Sequence, residues 1–168
     1  MTKVYLIADT HFNHTNILKH ESMSRSRWDS VDQMNIDLVA YWNSIVSPND
    51  RVYHLGDVAM NNKGLQFAAQ LNGSKVLIRG NHDNEKLTKY VAIFDDIRAT
   101  HEIDRVILSH IPVHENQKHR YRANIHGHLH SRKVLDSLGN IDPWYISVSA
   151  ELINFTPVEF NKLIRGIL

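Results

Sequence analysis

The chain reads as an α/β protein, and three observations carry that reading. Short runs rich in Val, Ile and Leu recur along it, and each ends in a polar cluster. Helical stripes stand between those runs in the first half, whereas the second half is poor in helix signals. Continuous apolar runs of this length are what buried parallel strands look like, and their alternation with helices places them in one α/β unit. The second half should then add antiparallel strands or hairpins. With 168 residues, 42 % of them hydrophobic, and a formal net charge of +1, the chain can bury a sizeable core and lacks the signature of disorder. One domain over residues 1–168 is expected.

Residues 4–8 (Val-Tyr-Leu-Ile-Ala) form the first run and lead into Asp9-Thr-His11. From Ser30, Val31, Met34, Leu38, Tyr41 and Ile45 fall on one helical stripe, which Pro48 stops. Residues 51–55 are the next strand and run into Gly56-Asp57. A shorter helix is predicted over 64–71, closed by Asn72-Gly73, and the strand 75–79 then enters Gly80-Asn-His-Asp83. Residues 105–109 lead into His110, and 123–126 lead into Gly127-His-Leu-His130. The stretch 114–122 is the most polar and predicts a loop, while 145–149 is a further strand. At the end, Thr156-Pro157-x-Glu159 has the pattern of an N-cap, a first-turn proline and a capping-box acid, which predicts a helix over 157–168.

Composition excludes several classes. Without cysteine there is no disulfide framework, thiolate zinc site, iron–sulfur cluster or cysteine nucleophile. The 19 basic and 18 acidic side chains leave little field for non-specific binding to nucleic-acid backbones. No apolar run approaches the ~18 residues of a membrane-spanning helix. The first run is too short for a signal peptide. A soluble, cytoplasmic protein with no membrane partner is expected. The 12 histidines are the one oddity.

Ligands of open α/β sheets bind outside the carboxyl ends of the strands. Five strand ends here deliver metal-binding side chains: Asp9, His11, Asp57, Asn81, His110, His128 and His130. Asp9-x-His11 and His128-x-His130 put both members on one face of extended backbone. Glycine precedes Asp57, Asn81 and His128, letting the chain turn or approach an ion closely. Taken singly, Asp-x-His is common and Gly-Asp is usually a turn. In this order, and all at strand ends, they point to one centre. Imidazole, carboxylate and amide oxygen without sulfur suit Mn²⁺, Fe, Ni²⁺ or Zn²⁺ better than Cu(I), and Mn²⁺ is the ion expected first. Seven ligands exceed one tetrahedral ion, and two divalent ions ~3.5–4 Å apart, bridged by a carboxylate, would use them all.

The ordered set Asp9-x-His11, Gly56-Asp57, Gly80-Asn-His-Asp83, His110 and Gly127-His-x-His130 resembles the calcineurin-like metallophosphoesterase superfamily, within it the small bacterial and phage phosphoesterases. Asp9-Thr-His-Phe-x-His14, Ser109-His-Ile-Pro-Val-His114 and His126-Gly-His-Leu-His130 carry the closer likeness. The resemblance implies a β-sandwich of two mixed sheets flanked by helices, in four layers, αββα. It implies that one ion takes Asp9, His11 and His130, that the other takes Asn81, His110 and His128, and that Asp57 bridges them. His82 would then be the general acid that protonates the leaving oxygen, oriented by Asp83. Two cations would neutralise phosphate charge and draw the pKa of bound water towards ~7. The chain departs from the pattern at Asn13, where small residues are usual, and at Ser147-Val-Ser-Ala-Glu151, where relatives carry a Val-x-Val-Glu segment.

His14, His114, Arg79, Arg120 and Arg122 are candidates for holding a substrate phosphate or its leaving group. Arg25, Arg27 and Trp28 read either as a lid or base-stacking surface or as a loop packed on the domain. The expected activity is metal-dependent hydrolysis of a small phosphomonoester or phosphodiester, nucleotide-derived ones included. A nuclease and a non-catalytic protein-binding scaffold with the same fold are the alternatives.

Overall fold

A computed structural model describes residues 2–165. In chain order it contains β1 (Val4–Ile7), α1 (Ile17–His20), α2 (Val31–Ile45), β2 (Arg51–His54), α3 (Asn62–Ala68), β3 (Ser74–Ile78) and α4 (Leu87–Tyr90). There follow β4 (Asp96–Arg98), β5 (Thr100–Ile103), β6 (Val106–Ser109), β7 (Ala123–His126), β8 (Tyr145–Ser147), β9 (Val158–Glu159) and α5 (Phe160–Ile164). Short 3-10 helices occupy Glu115–His119 and Ala150–Ile153. The strands form two mixed sheets, ordered β4-β3-β2-β1-β9 and β5-β6-β7-β8. β1 to β4 run parallel, as do β6 to β8; β9 is antiparallel to β1 and β5 to β6. The α/β fold with helices flanking two mixed sheets agrees with the expectation.

Alternation along the strands explains the layering. Tyr5, Ile7, Val52 and Leu77 face α2 and α3, where Met34, Leu38, Trp42, Leu65 and Ala68 meet them. Leu6, Ala8, Leu55, Val76 and Ile78 face the other way, onto Val106, Leu108, Ala123 and Ile125 of the second sheet. Each fully buried Leu or Ile in these layers contributes roughly 1.5–3 kcal/mol by leaving water. The outer face of the second sheet is covered by the segment around Glu115–His119. There Val113 N–H donates to Asn124 Oδ1 at 2.9 Å, and the Lys118 ammonium lies 5.7 Å from the Tyr145 ring centre.

α2 begins where its sequence signals put it: Ser30 Oγ accepts from Gln33 N–H at 3.2 Å. α3 starts two residues earlier than the apolar pattern suggests, because Asn61 Oδ1 accepts from Gly64 N–H and serves as its N-cap. The terminal helix is corrected more substantially. Val158 and Glu159 are a strand, paired with Leu6 and Tyr5 along the exposed edge of β1. Thr156 Oγ1 turns back to Asn154 O instead of capping a helix, and α5 begins only at Phe160. The last three residues of the expected helix, 166–168, lie outside the described residues.

Candidate metal centre

Parallel pairing within each sheet, and a parallel bridge between Ala8 and Ser149 that joins the sheets, bring the carboxyl ends of β1, β2, β3, β6 and β7 to one edge. All seven candidate ligands leave those ends. The exits are sharp. Ten non-glycine described residues have positive φ, and five are candidate ligands: Asp9 (58°), His11 (50°), Asp57 (56°), His128 (70°) and His130 (51°). Such a conformation costs roughly 1–3 kcal/mol per residue and persists where surrounding structure enforces it, as at functional sites.

The side chains form two groups. Asp9, His11 and His130 each offer a ligand atom within 4.8 Å of the others, and so do Asp57, His110 and His128. Asp57 belongs to both neighbourhoods, because its Oδ2 lies 3.7 Å from His11 Nε2 and 3.4 Å from His110 Nε2. Asn81 Oδ1 adds an oxygen 2.8 Å from His110 Nε2. Close backbone approach makes this possible. A Cβ on Gly80 would stand 2.3 Å from Asp57 Oδ1, and one on Gly127 would stand 2.7 Å from Asp9 Oδ2.

The donor set fits cations. His11 is buried, yet neither ring nitrogen has a hydrogen-bond partner, an expensive state for an imidazole with nothing to bind. His110 Nδ1 must donate to the Leu55 carbonyl at 2.7 Å, which leaves Nε2 aimed at two oxygens, Asn81 Oδ1 and Asp57 Oδ2. Electrostatics agree. Burial pushes the Asp9 carboxyl up to about 6, against the opposing charges of His130 and His110. Burial also raises the Asp57 carboxyl, but the His110 hydrogen bond and the nearby imidazoles override it and hold the acid well below the usual carboxylate range. Burial pushes His11 and His128 down, towards the neutral form a ligand needs. It lowers His110 and His130 too, but hydrogen bonds to Asp57 and Glu151 outweigh it and raise both.

His82 lies at the mouth of the site, its ring centre 5.5 Å from that of His11 and 6.3 Å from that of His14. Its backbone N–H donates to Asp57 Oδ1 at 2.8 Å. The expected pairing with Asp83 is not found. Asp83 is buried and turned the other way, accepting from the N–H groups of Asp57, Val58 and Gly80 at 2.8–2.9 Å. Its carboxylate shapes the turn that carries Asp57 and does not orient His82.

The substrate candidates separate. His14 stands beside the site, its ring 5.3 Å from that of His11, with Nδ1 buried and unpartnered. Arg79 is anchored to the Asp83 carbonyl through Nε and Nη2, and with Asn81, Thr100, His110, Ile111 and Val113 it lines a groove of about 380 Å³ beside the second group. His114 is brought no nearer than the cap of Glu115–His119, where Nδ1 accepts from Asn116 N–H. Arg122 precedes the amino end of β7, with its N–H on the Arg105 carbonyl. A four-residue strand, ~13 Å, separates that end from the ligands. Arg120 stacks on Tyr121.

Two residues in the centre were not expected there. Arg25 is buried, with Nε 2.8 Å and Nη2 2.6 Å from Glu151 Oε1. Nη2 also donates to the Asp9 carbonyl at 2.7 Å. Glu151 Oε1 in turn accepts from His130 Nδ1 at 3.0 Å. Burial drives the Glu151 carboxyl up, but the His130 hydrogen bond and the Arg25 charge outweigh it and hold the group below its ordinary value. Trp28 packs edge-on against Phe155 at 4.6 Å, and Arg27 lies over both rings. The cluster of Arg25, Arg27 and Trp28 is therefore packed on the fold, not a lid.

Two mixed sheets with two histidine–carboxylate groups at one edge have the architecture of a metal-dependent hydrolase. The model of the calcineurin-like phosphoesterase family matches residues 2–154, and the chain belongs to this family of hydrolases that act on phosphate esters. It is 36 % identical to the uncharacterized protein MJ1445 of Methanocaldococcus jannaschii, across 99 % of this chain and 92 % of that one. It is 25 % identical to the Gene 66 protein of Mycobacterium phage L5, across 80 % and 81 % of the two chains. A solved structure, protein AQ665 of unknown function from Aquifex aeolicus, shares the fold with a TM-score of 0.77 at 24 % identity, covering 99 % of this chain and all of that one. The two residue groups fit a dinuclear metal site in this family.

Proposed function

We propose that the protein hydrolyses a small phosphomonoester or phosphodiester, nucleotide-derived ones included, at a centre of two divalent ions. The observation that carries this is the shared position of Asp57, whose Oδ2 lies between His11 Nε2 and His110 Nε2. Asp9, His11 and His130 would hold one ion, Asn81, His110 and His128 the other, and Asp57 both. When bound, such a pair neutralises charge on the phosphate oxygens and supplies the nucleophile; Mn²⁺ is the ion we assign first. The chain's own residues do the rest. His82, held by its backbone on Asp57, delivers a proton to the leaving oxygen. His14, its ring 6.3 Å from that of His82, would contact the substrate phosphate or its leaving group. The groove beside Arg79 and Ile111 receives an organic substituent of the substrate. No described helix is long and apolar enough to cross a membrane, and we place the protein in the cytoplasm. The formal net charge of +1 favours a small phosphorylated substrate over nucleic acid.

The test is a chelated, then Mn²⁺-reconstituted, sample assayed on nucleoside, cyclic-nucleotide, sugar and chromogenic phosphates. Turnover should vanish on chelation and return with Mn²⁺. Metal-loaded protein inert towards the whole panel overturns the proposal, and binding to DNA or RNA that falls steeply with salt would favour a nuclease instead.

A further inference from the structure

We infer that Arg25 and Glu151 form a buried clamp that fixes His130 as a ligand and makes the Asp9–His11–His130 group depend on two segments far apart in sequence, the loop before α2 and the short helix Ala150–Ile153. The inference rests on the dinuclear reading above. A carboxylate only accepts, so the contact of Glu151 Oε1 with His130 Nδ1 at 3.0 Å requires the proton on Nδ1. That leaves Nε2 as the nitrogen with a lone pair to offer, in a residue whose ligand atom lies within 4.8 Å of those of Asp9 and His11. An anionic partner also makes the imidazole a stronger donor than a neutral one does. In the second group His110 Nδ1 meets a backbone carbonyl instead, that of Leu55.

Arg25 is what allows a carboxylate to sit there. Both side chains are fully buried, and Arg25 meets Glu151 Oε1 through Nε and Nη2. The same guanidinium donates to the carbonyls of Asp9 and Thr10, at 2.7 Å and 3.3 Å, so it grips the backbone of a ligand in addition to the partner of another. Phe155 closes over it, with its ring centre 5.3 Å from Arg25 Cζ. Positions 25 and 151 are 126 residues apart, so the loop before α2 and the short helix Ala150–Ile153 must both be in place for His130 to be held. Arg25 and Glu151 are positioning residues.

The test reads metal binding and tautomer, not turnover. Calorimetric titration of the chelated 168-residue protein with Mn²⁺ should give two ions for wild type. In Glu151→Gln, one ion should bind as before and the other about 10–100-fold more weakly. Because Glu151→Gln leaves Arg25 buried beside a neutral partner and can impair folding, Arg25→Met/Glu151→Leu is the second variant. Apolar replacement of a buried pair often keeps stability. The double variant should melt near wild type yet retain the weakened ion. Nitrogen-15 NMR of metal-free wild type, in alkaline buffer where the imidazole is neutral, should show His130 protonated on Nδ1. Either folded variant binding both ions as tightly as wild type overturns the inference, and so does an Nε2-protonated His130. Wild type that binds fewer than two ions would instead overturn the dinuclear reading beneath it.

Discussion

Asp83 holds Asp57 by its backbone: Oδ2 accepts the Asp57 N–H at 2.9 Å while Oδ1 accepts that of Val58 at the same distance. A third amide, Gly80, completes the set. Burial raises the Asp83 carboxyl, and the three amides oppose that rise. Hydrogen bonds to a charged group are each worth roughly 1.5–3 kcal/mol, and stranded buried amides are costly. Asp83→Ala should therefore destabilise the protein by about 2–4 kcal/mol, read from urea denaturation of the chelated form. It should also lower metal stoichiometry, because Asp57 loses its fixed place.

Gly80→Ala and Gly127→Ala test the close approaches. The added methyl would collide with Asp57 in the first and with Ala8 and Asp9 in the second, at separations of 2.3–2.7 Å that real contacts do not show. Each variant should fold with reduced Mn²⁺ affinity. Calorimetry checks this, and unchanged affinity for both ions would mean that the backbone yields freely.

His82→Ala should leave metal content intact and reduce turnover about 10²–10⁴-fold on esters with basic alcohol leaving groups. The loss should shrink for a nitrophenyl ester, whose leaving oxygen needs no proton. Steady-state kinetics on the two substrate types separate a proton donor from a merely local residue. An equal loss on both would remove His82 from that role.

Acid should weaken the fold through His54. Thr10 Oγ1 donates to the Val58 carbonyl, so it must accept from His54 Nε2–H, and Nδ1 stays buried without a partner. Burial pushes this histidine down to about 3. Between about 6.5, the unfolded value, and 3 the unfolded chain carries a proton that the folded chain refuses, so stability is full above that window and falls as pH drops through it. The slope from this one group is about 1.4 kcal/mol per pH unit. Urea midpoints of chelated wild type and His54→Phe across the window should diverge, with the variant falling less steeply.

Much of this was legible from sequence because strand ends are. Runs such as 105–109 and 123–126 advertise burial, and the residue that breaks each run stands at the sheet edge. The seven candidate ligands follow from that rule and from parallel pairing. Asp83 was misread because adjacency in sequence says nothing of direction: it follows His82 yet faces the Gly56 turn. Arg122 was named for its guanidinium alone, and nothing in the polar stretch 114–122 says which end of its strand it precedes. Arg25 and Glu151 drew notice separately in sequence, but nothing local paired them, since each takes its meaning from the other across the fold. The edge of β1 drew Val158 and Glu159 out of a helix that their own residues favour, an outcome set by the partner strand.

The sandwich divides the chain almost cleanly, with β1 to β4 within residues 4–98 and β5 to β8 within 100–147. Each candidate group draws on both parts: Asp9 and His11 come from one and His130 from the other, while Asp57 faces His110 and His128. An ion in either group would thus be a rivet between two slabs, with neither slab supplying a full set of ligands. Cut at residue 99 and co-expressed, the two fragments should come together more tightly with Mn²⁺ than without it, so that the centre would report on assembly as well as chemistry.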